Sequence, residues 1–301
     1  MKRVTINAYA KVNLTLEIVG EDGGYHLLDS LVASVDLHDV VRLTARRDKL
    51  SSVIMKGLGS ESIAPETNNA LKGAEAFSQT FGVNGVDITV YKNIPMGAGL
   101  GGSSADVSAV LLGMAKLYGI QDQAKIETLA EKLGSDTKYM LKGGFARMQG
   151  RGTQLKYLDV NEKLYFLAIC PFDSVSSGAC YQKYDALPKP ERAESYTENC
   201  IRLLREKDVN GAGRYLVNDL YPPACALSES VRKAYEEALS FSPSGVVMTG
   251  SGSCVLALFE TRELCEWAKS RYRGKYRTLV MQTVTPSKQK TLKSVYQIEE
   301  E

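Results

Sequence analysis

Asn93-Ile94-Pro95-Met96-Gly97-Ala98-Gly99-Leu100-Gly101-Gly102-Ser103-Ser104-Ala105-Asp106 separates two segments of different periodicity. Before it, Val86-Asp87-Ile88-Thr89-Val90 alternates and is rich in β-branched residues, as a strand requires; after it, Val107, Val110, Leu111, Met114 and Tyr118 recur at helical spacing. The local order is therefore strand, glycine loop, helix. Glycines at 97, 99, 101 and 102 let the backbone take positive φ and approach a ligand with no Cβ in the way. Ser103 and Asp106 have the spacing of a capping box, which puts a helix N-terminus at the end of the loop. Free N–H groups and the positive end of the helix dipole then face the loop and suit an anion, most simply the phosphates of a nucleotide. No Gly-Lys-Ser/Thr follows the last glycine, so this is not a Walker A loop, and no βαβ unit with a ribose-binding acid is evident. The adjacent hydroxyls of Ser103 and Ser104 suit phosphate oxygens and a magnesium ion. Glycine-rich turns before helices also occur without any ligand, so other segments must decide.

A chain of 301 residues, 44% hydrophobic and 24% charged, has material for two moderate domains with a sizeable core. Its net charge of +2 argues against a dedicated nucleic-acid surface, and no basic stripe with interleaved aromatics suggests RNA. No run of about eighteen apolar residues is present. Met1-Lys2-Arg3 leads straight into strand-like sequence, so a cytoplasmic protein without membrane attachment is expected. The six cysteines lack CxxC spacing and only two histidines exist, which speaks for reduced, mostly buried thiols over zinc or a disulfide framework.

Toward the N-terminus, Val4 to Ala10 and Leu14 to Ile18 read as strands around Lys11-Val12-Asn13. Lys11 is either an edge-strand lysine that discourages aggregation or a fixed cation facing a charged substrate. Glu21-Asp22-Gly23-Gly24-Tyr25-His26 reads as a surface hairpin whose aromatic and imidazole could also meet a base. Strands are expected at 31–35, 40–44 and 53–55, and a helix from Asn68 to Phe81. A second helix, Gln123 to Leu133, ends at Gly134 in the usual C-terminal manner and is followed by Ser135-Asp136-Thr137-Lys138. Asp136 could simply cap a short helical turn. Lys138 could act on that carboxyl or contact a diphosphate.

Past residue 158, strands are expected at 164–169, 245–248, 254–259 and 277–283, with helices at 179–184, 196–205, 228–239 and 262–272. Thr249-Gly250-Ser251-Gly252-Ser253 is a second glycine loop, most simply a hairpin bend, and the tail from Lys288 reads as a solvated end.

Together, Pro95 to Ser104, Ala10-Lys11-Val12-Asn13-Leu14, Gly24-Tyr25-His26-Leu27-Leu28-Asp29, Gly134-Ser135-Asp136, Asn218-Asp219-Leu220 and Thr249 to Cys254 resemble, in order, the motifs of the GHMP kinase superfamily. Within it they are most similar to the branch acting on a cytidine-diphosphate-linked methylerythritol. The resemblance implies an α+β, two-domain fold: an N-terminal ribosomal protein S5 domain 2-like unit over residues 1–157, a ferredoxin-like unit over 158–301, and the active site in the cleft between them. It implies ATP and Mg2+, with Pro95, Met96, Gly97, Ala98, Gly99, Leu100, Gly101, Gly102, Ser103, Ser104 and Ala105 around the nucleotide and Ser103 or Ser104 on the metal. Lys11 and Asp136 correspond to the catalytic pair, Asp136 as base toward the substrate hydroxyl and Lys11 keeping it charged beside the transferred phosphoryl group. Asn13, Tyr25, His26 and Tyr181 correspond to substrate-binding positions, with the Tyr25 ring on cytosine and His26 on its polar edge. The implied reaction is ATP-dependent phosphorylation of the substrate's 2-hydroxyl in non-mevalonate isoprenoid precursor synthesis. A kinase of the same superfamily with another alcohol, or a nucleotide-binding protein without catalysis, are the competing readings; oligomeric state is left open.

Overall fold

The structure, a computed structural model, describes residues 2–57, 67–285 and 298–300. β1 (Arg3–Asn13), β2 (Thr15–Asp22), β3 (Tyr25–Ala45) and β4 (Ser52–Lys56) come first. α1 (Asn69–Phe81), β5 (Val86–Tyr91), α2 (Gly102–Tyr118), α3 (Gln123–Leu133), α4 (Thr137–Met140), β6 (Ala146–Gly150) and β7 (Gln154–Tyr157) follow. Next are β8 (Tyr165–Cys170), α5 (Ser177–Asp185), α6 (Tyr196–Arg205), α7 (Val209–Gly213), β9 (Val217–Asn218), α8 (Tyr221–Leu227) and α9 (Glu229–Leu239). β10 (Gly245–Met248), β11 (Val255–Phe259), α10 (Arg262–Arg271), β12 (Arg277–Gln282) and β13 (Ile298–Glu300) close the series.

The larger sheet is organised on β3. Its start pairs with β2 and β6, its end with β5, and β1 runs alongside it from Val32 to Thr44, all antiparallel. The two strands expected at 31–35 and 40–44 are thus one, because the polar residues between them stay within reach of ladder partners, as in the pair Tyr9 with His38. α2 lies across β1 and β3 and buries nearly every side chain, so it is apolar on all sides instead of striped. Gly113 in its middle is required by contact: a Cβ there would stand 2.5 Å from Leu43 Cδ1 and 2.6 Å from Ile6 Cδ1.

The smaller sheet runs β10-β11-β8-β12, fully antiparallel. With α5 to α9 between β8 and β10, and α10 between β11 and β12, this is the order of a ferredoxin-like unit. The two layers are laced together. β9 pairs in parallel with β2, β13 pairs with β1, and Val35 bridges to Thr283. The end of the tail expected to be solvated is therefore a strand over 298–300, while 286–297 lie outside the described residues. All six cysteines are free thiols and five are buried. No helix among the described residues is long and apolar enough to cross a membrane.

Two local expectations are corrected. α2 begins at Gly102, five residues before the first apolar position, and its N-cap is Gly101 in the left-handed conformation with no side-chain cap. Ser103 and Asp106 do not form a capping box; Asp106 binds Lys92 instead. Gly134 does end α3, but in extended backbone, not a left-handed cap. Its glycine identity follows from space, since a Cβ would sit 2.8 Å from Thr137 Oγ1.

Candidate active site

A cavity of about 940 Å³ lies between the two layers, lined by Lys11, Asn13, Tyr25, His26, residues 94–104, Asp136, Tyr181 and Gly250 to Gly252. That size accommodates small-molecule ligands.

Lys11 reaches the cavity because β1 bulges between Tyr9 and Lys11. Its amide donates to Leu100 O at 3.0 Å, tying the strand to the glycine loop. β13 flanks β1 only at Val4 to Ile6, but at Lys11 the outer side of the strand is taken by the glycine loop and the residue is only 5% exposed, so the edge-lysine reading fails. Its Nζ stands 3.2 Å from Asp136 Oδ2 and donates to Asn13 Oδ1 at 2.7 Å. Asn13 is itself fixed: its amide nitrogen donates to Ser30 Oγ at 2.9 Å and its carbonyl accepts from Gly250 N at 3.1 Å. Asp136 occupies the N-cap position of α4 without making a capping bond, so its carboxylate is left for Lys11. Lys138 turns away to Glu131 at 2.6 Å.

The loop before α2 carries Gly97, Gly99 and Gly101 at φ of 64°, 75° and 72°. Gly99 packs on the second glycine loop so tightly that a Cβ would lie 2.0 Å from Thr249 O. Thr249 to Ser253 is indeed the bend of the β10–β11 hairpin, and it also forms part of the cavity wall. Gly99→Ala combines a left-handed alanine with that clash and is expected to cost about 3 kcal/mol. Urea unfolding checks it; an unmoved midpoint would show that the loop can yield.

At the start of α2 the amides of Gly102, Ser103 and Ser104 precede the first helical bond, Ala105 N to Gly101 O at 3.0 Å. Ala105 itself does not reach the cavity, since its amide is engaged and its methyl is buried. The Ser103 hydroxyl accepts from Asn69 Nδ2 at 2.9 Å. Ser104 faces the other way, its Oγ 3.3 Å from where a Cβ on Gly134 would be, beside the Ser135-Asp136 turn.

Tyr25 and His26 begin β3 at the far end of the cavity. Tyr25 is 59% exposed, with the Arg151 guanidinium 4.2 Å above its ring. Tyr181 stacks on His26, centroids 4.9 Å apart at 23°, and not on Tyr25. His26 Nε2 is 2.7 Å from Asp185, and this contact holds the Asp185 carboxyl below its ordinary range. Burial, with the Asp136 charge second, pushes the Tyr181 hydroxyl up to about 12, so it stays a neutral donor.

Under the loop, with Lys92 and Asp106 also on the cavity wall, lies a cluster that the chain order does not announce. Lys92 Nζ binds Asp39 and, at 2.8 Å, Asp106. Burial raises the Asp106 carboxyl most, Lys92 pulls it down and Asp39 pushes it up, leaving it above its ordinary range. Lys92 is raised, its two carboxylates outweighing burial. Arg151, Asp185, Lys92 and Asp39 were not singled out by sequence. For Asp185 a signal existed, since it lies one turn from Tyr181 on α5.

Known proteins resemble this chain along most of its length. The family description "GHMP kinases N terminal domain" matches residues 68–146 and "GHMP kinases C terminal" matches 200–276. A 4-diphosphocytidyl-2-C-methyl-D-erythritol kinase of Carboxydothermus hydrogenoformans is 34% identical over 262 residues, covering 85% of this chain and 88% of the relative. One from Moorella thermoacetica is 32% identical over 288 residues, covering 94% of this chain and 100% of the relative. The crystal structure of a 4-(cytidine 5'-diphospho)-2C-methyl-D-erythritol kinase superposes with a TM-score of 0.76 at 27% identity, covering 92% of this chain and 98% of that one. Homoserine kinase from Cytophaga hutchinsonii shares the fold, with a TM-score of 0.71 at 18% identity over 99% of this chain and 97% of its own. Two family matches in register and full-length relatives above 30% identity place the chain among the GHMP kinases, in the family of the 4-diphosphocytidyl-2-C-methyl-D-erythritol kinases.

Proposed function

We propose that this chain transfers the γ-phosphoryl group of ATP to the 2-hydroxyl of 4-diphosphocytidyl-2-C-methyl-D-erythritol, a step of non-mevalonate isoprenoid precursor synthesis, with Lys11 and Asp136 as the catalytic pair. The observation that carries the assignment of roles is the 3.2 Å contact between Lys11 Nζ and Asp136 Oδ2 at the mouth of a helix N-terminus. Phosphoryl transfer needs positioning and charge neutralisation more than covalent help, and those are what this arrangement supplies.

The free amides of residues 102–104 and the glycine backbone between Gly97 and Gly101 form the cradle for the triphosphate. Asp136 takes the proton of the substrate hydroxyl as that hydroxyl's oxygen bonds to the γ-phosphorus and the bond from phosphorus to the β–γ bridging oxygen breaks, releasing ADP. Lys11 stands where negative charge collects, and Asn13 keeps both Lys11 and the Gly250 turn in place. The donor set would also fit Mg2+: the hydroxyl of Ser103 or Ser104 and the phosphate oxygens of the nucleotide are hard ligands of the kind this ion prefers. Of the two serines Ser104 is the better holder, because Asn69 already engages Ser103. When bound, Mg2+ neutralises charge on the β- and γ-phosphates. At the other end, Tyr25 offers an exposed ring to the cytosine, with His26 and Tyr181 on its far side. We place the domain border at 157/158, between β7 and β8.

The test is a coupled ADP-release assay with the cytidylyl substrate, mevalonate and homoserine. Only the first is expected to turn over well; comparable turnover of either of the others would overturn the substrate assignment. Tyr25→Ala is expected to raise the KM of the cytidylyl substrate about tenfold or more, the loss of one base-stacking contact, with ATP affinity spared. Equal loss of both affinities, or of neither, would count against Tyr25 as the base platform.

A further inference from the structure

We propose that the buried cluster of Lys92, Asp39 and Asp106 is a positioning device that sets the span of the nucleotide loop, so that ATP affinity depends on it while binding of the alcohol does not. This rests on the reading of residues 95–104 as the ATP site. Lys92 follows β5 where the chain comes into the loop, and Asp106 lies in α2 where the chain has left it. Asp39, in β3, holds the incoming side: its Oδ1 accepts from Asn93 N at 2.6 Å and Ile94 N at 2.9 Å. Its other oxygen binds the Lys92 ammonium, which reaches Asp106 Oδ2 at 2.8 Å. One carboxylate on a rigid central strand thus fixes the loop's start through backbone amides and its end through a lysine bridge.

The packing agrees. A Cβ on Gly102, the first residue of α2, would stand 3.1 Å from Ile94 Cγ2 and 3.3 Å from Lys92 Nζ, so the helix start rests on the same two residues. All three charged side chains are at most 5% exposed. Apolar residues of equal volume commonly stabilise a core as well as a buried ion cluster does, and such clusters are best justified where they specify a geometry. Here that geometry is the spacing of the amides at 102–104, and the cluster hydrogen-bonds neither Lys11 nor Asp136.

The test is the variant K92M/D106N, which leaves Asp39 its hold on Asn93 and Ile94. Calorimetric titration with AMP-PNP is expected to show Kd raised about tenfold or more, with the ATP KM following, because loosened supports misplace a preorganised site. The KM of the cytidylyl substrate and kcat should stay within about threefold, and thermal unfolding should stay cooperative. An unchanged AMP-PNP Kd in the folded variant, or an equal loss of affinity for the alcohol, overturns the proposal. If the double variant does not fold, D106N alone decides: Kd up about threefold or more supports it, and no change overturns it. Wild-type protein that fails to bind AMP-PNP would instead overturn the ATP reading of the loop, so the two failures are distinguishable.

Discussion

Asp136→Asn is expected to lower kcat about a thousandfold while AMP-PNP affinity stays within about twofold. An amide keeps the shape of the carboxylate and the contact with Lys11, but it cannot take the hydroxyl proton. The change therefore removes the base without touching the glycine loop, whose amides belong to another element. Steady-state turnover with the cytidylyl substrate, paired with calorimetric binding, checks it. A variant retaining a tenth of the activity would remove Asp136 from its role, whereas loss of nucleotide binding would mean that the residue acts on structure. The same pair of measurements separates a kinase from a nucleotide-binding protein without catalysis, because binding alone has no use for this carboxylate.

Lys11→Met is expected to cost nearly as much, about a hundred- to thousandfold in kcat. Methionine preserves the length and apolar stem of the side chain, which matters because a Cβ on Gly101 would lie 3.0 Å from Lys11 Cγ, so the stem helps pack the loop. What is lost is the ammonium that faces Asp136 and orients Asn13. Lys11→Arg should not restore the rate, since a planar fork cannot replace a compact cation at 2.7 Å from Asn13 Oδ1 and 3.2 Å from Asp136 in so buried a place. Comparing kcat with thermal stability distinguishes the readings: a rate unchanged in Lys11→Met would make the pair structural.

How far the chain could be read in advance varied with how local each signal was. The glycine loop, the strand before it and the helix after it were legible because periodicity changes within a few residues. The start of that helix was not: Ser103 and Asp106 have capping-box spacing, yet a left-handed Gly101 starts α2 earlier and frees Asp106 for Lys92. Lys11 stands out locally as a possible fixed cation, but its pairing with Asp136 is suggested only by resemblance, since nothing local says that a bulge in β1 and the turn before α4 meet. The cluster under the loop was silent for the same reason. Asp39 and Lys92 are 53 positions apart, and each alone looks like a solvated charge. His26 is the instructive intermediate. Tyr25-His26 suggests a contact with a base, but the partners His26 has in the fold, Tyr181 and Asp185, come from α5, 159 residues on in the case of Asp185. A polar stretch usually ends a strand, so the sequence predicts two strands where β3 is one; tertiary pairing on both sides overrides that propensity.

Catalysis as proposed requires that residue 136 moves a proton while the nucleotide is held elsewhere. Quenched single-turnover experiments with γ-labelled ATP and 4-diphosphocytidyl-2-C-methyl-D-erythritol measure this directly. Wild-type enzyme should form one phosphate monoester at the 2-position per active site. The Asp136→Asn enzyme, equally loaded with nucleotide, should form essentially none in the same interval. Ester formed at the same rate by both, or ADP released without ester in the wild type, would contradict it.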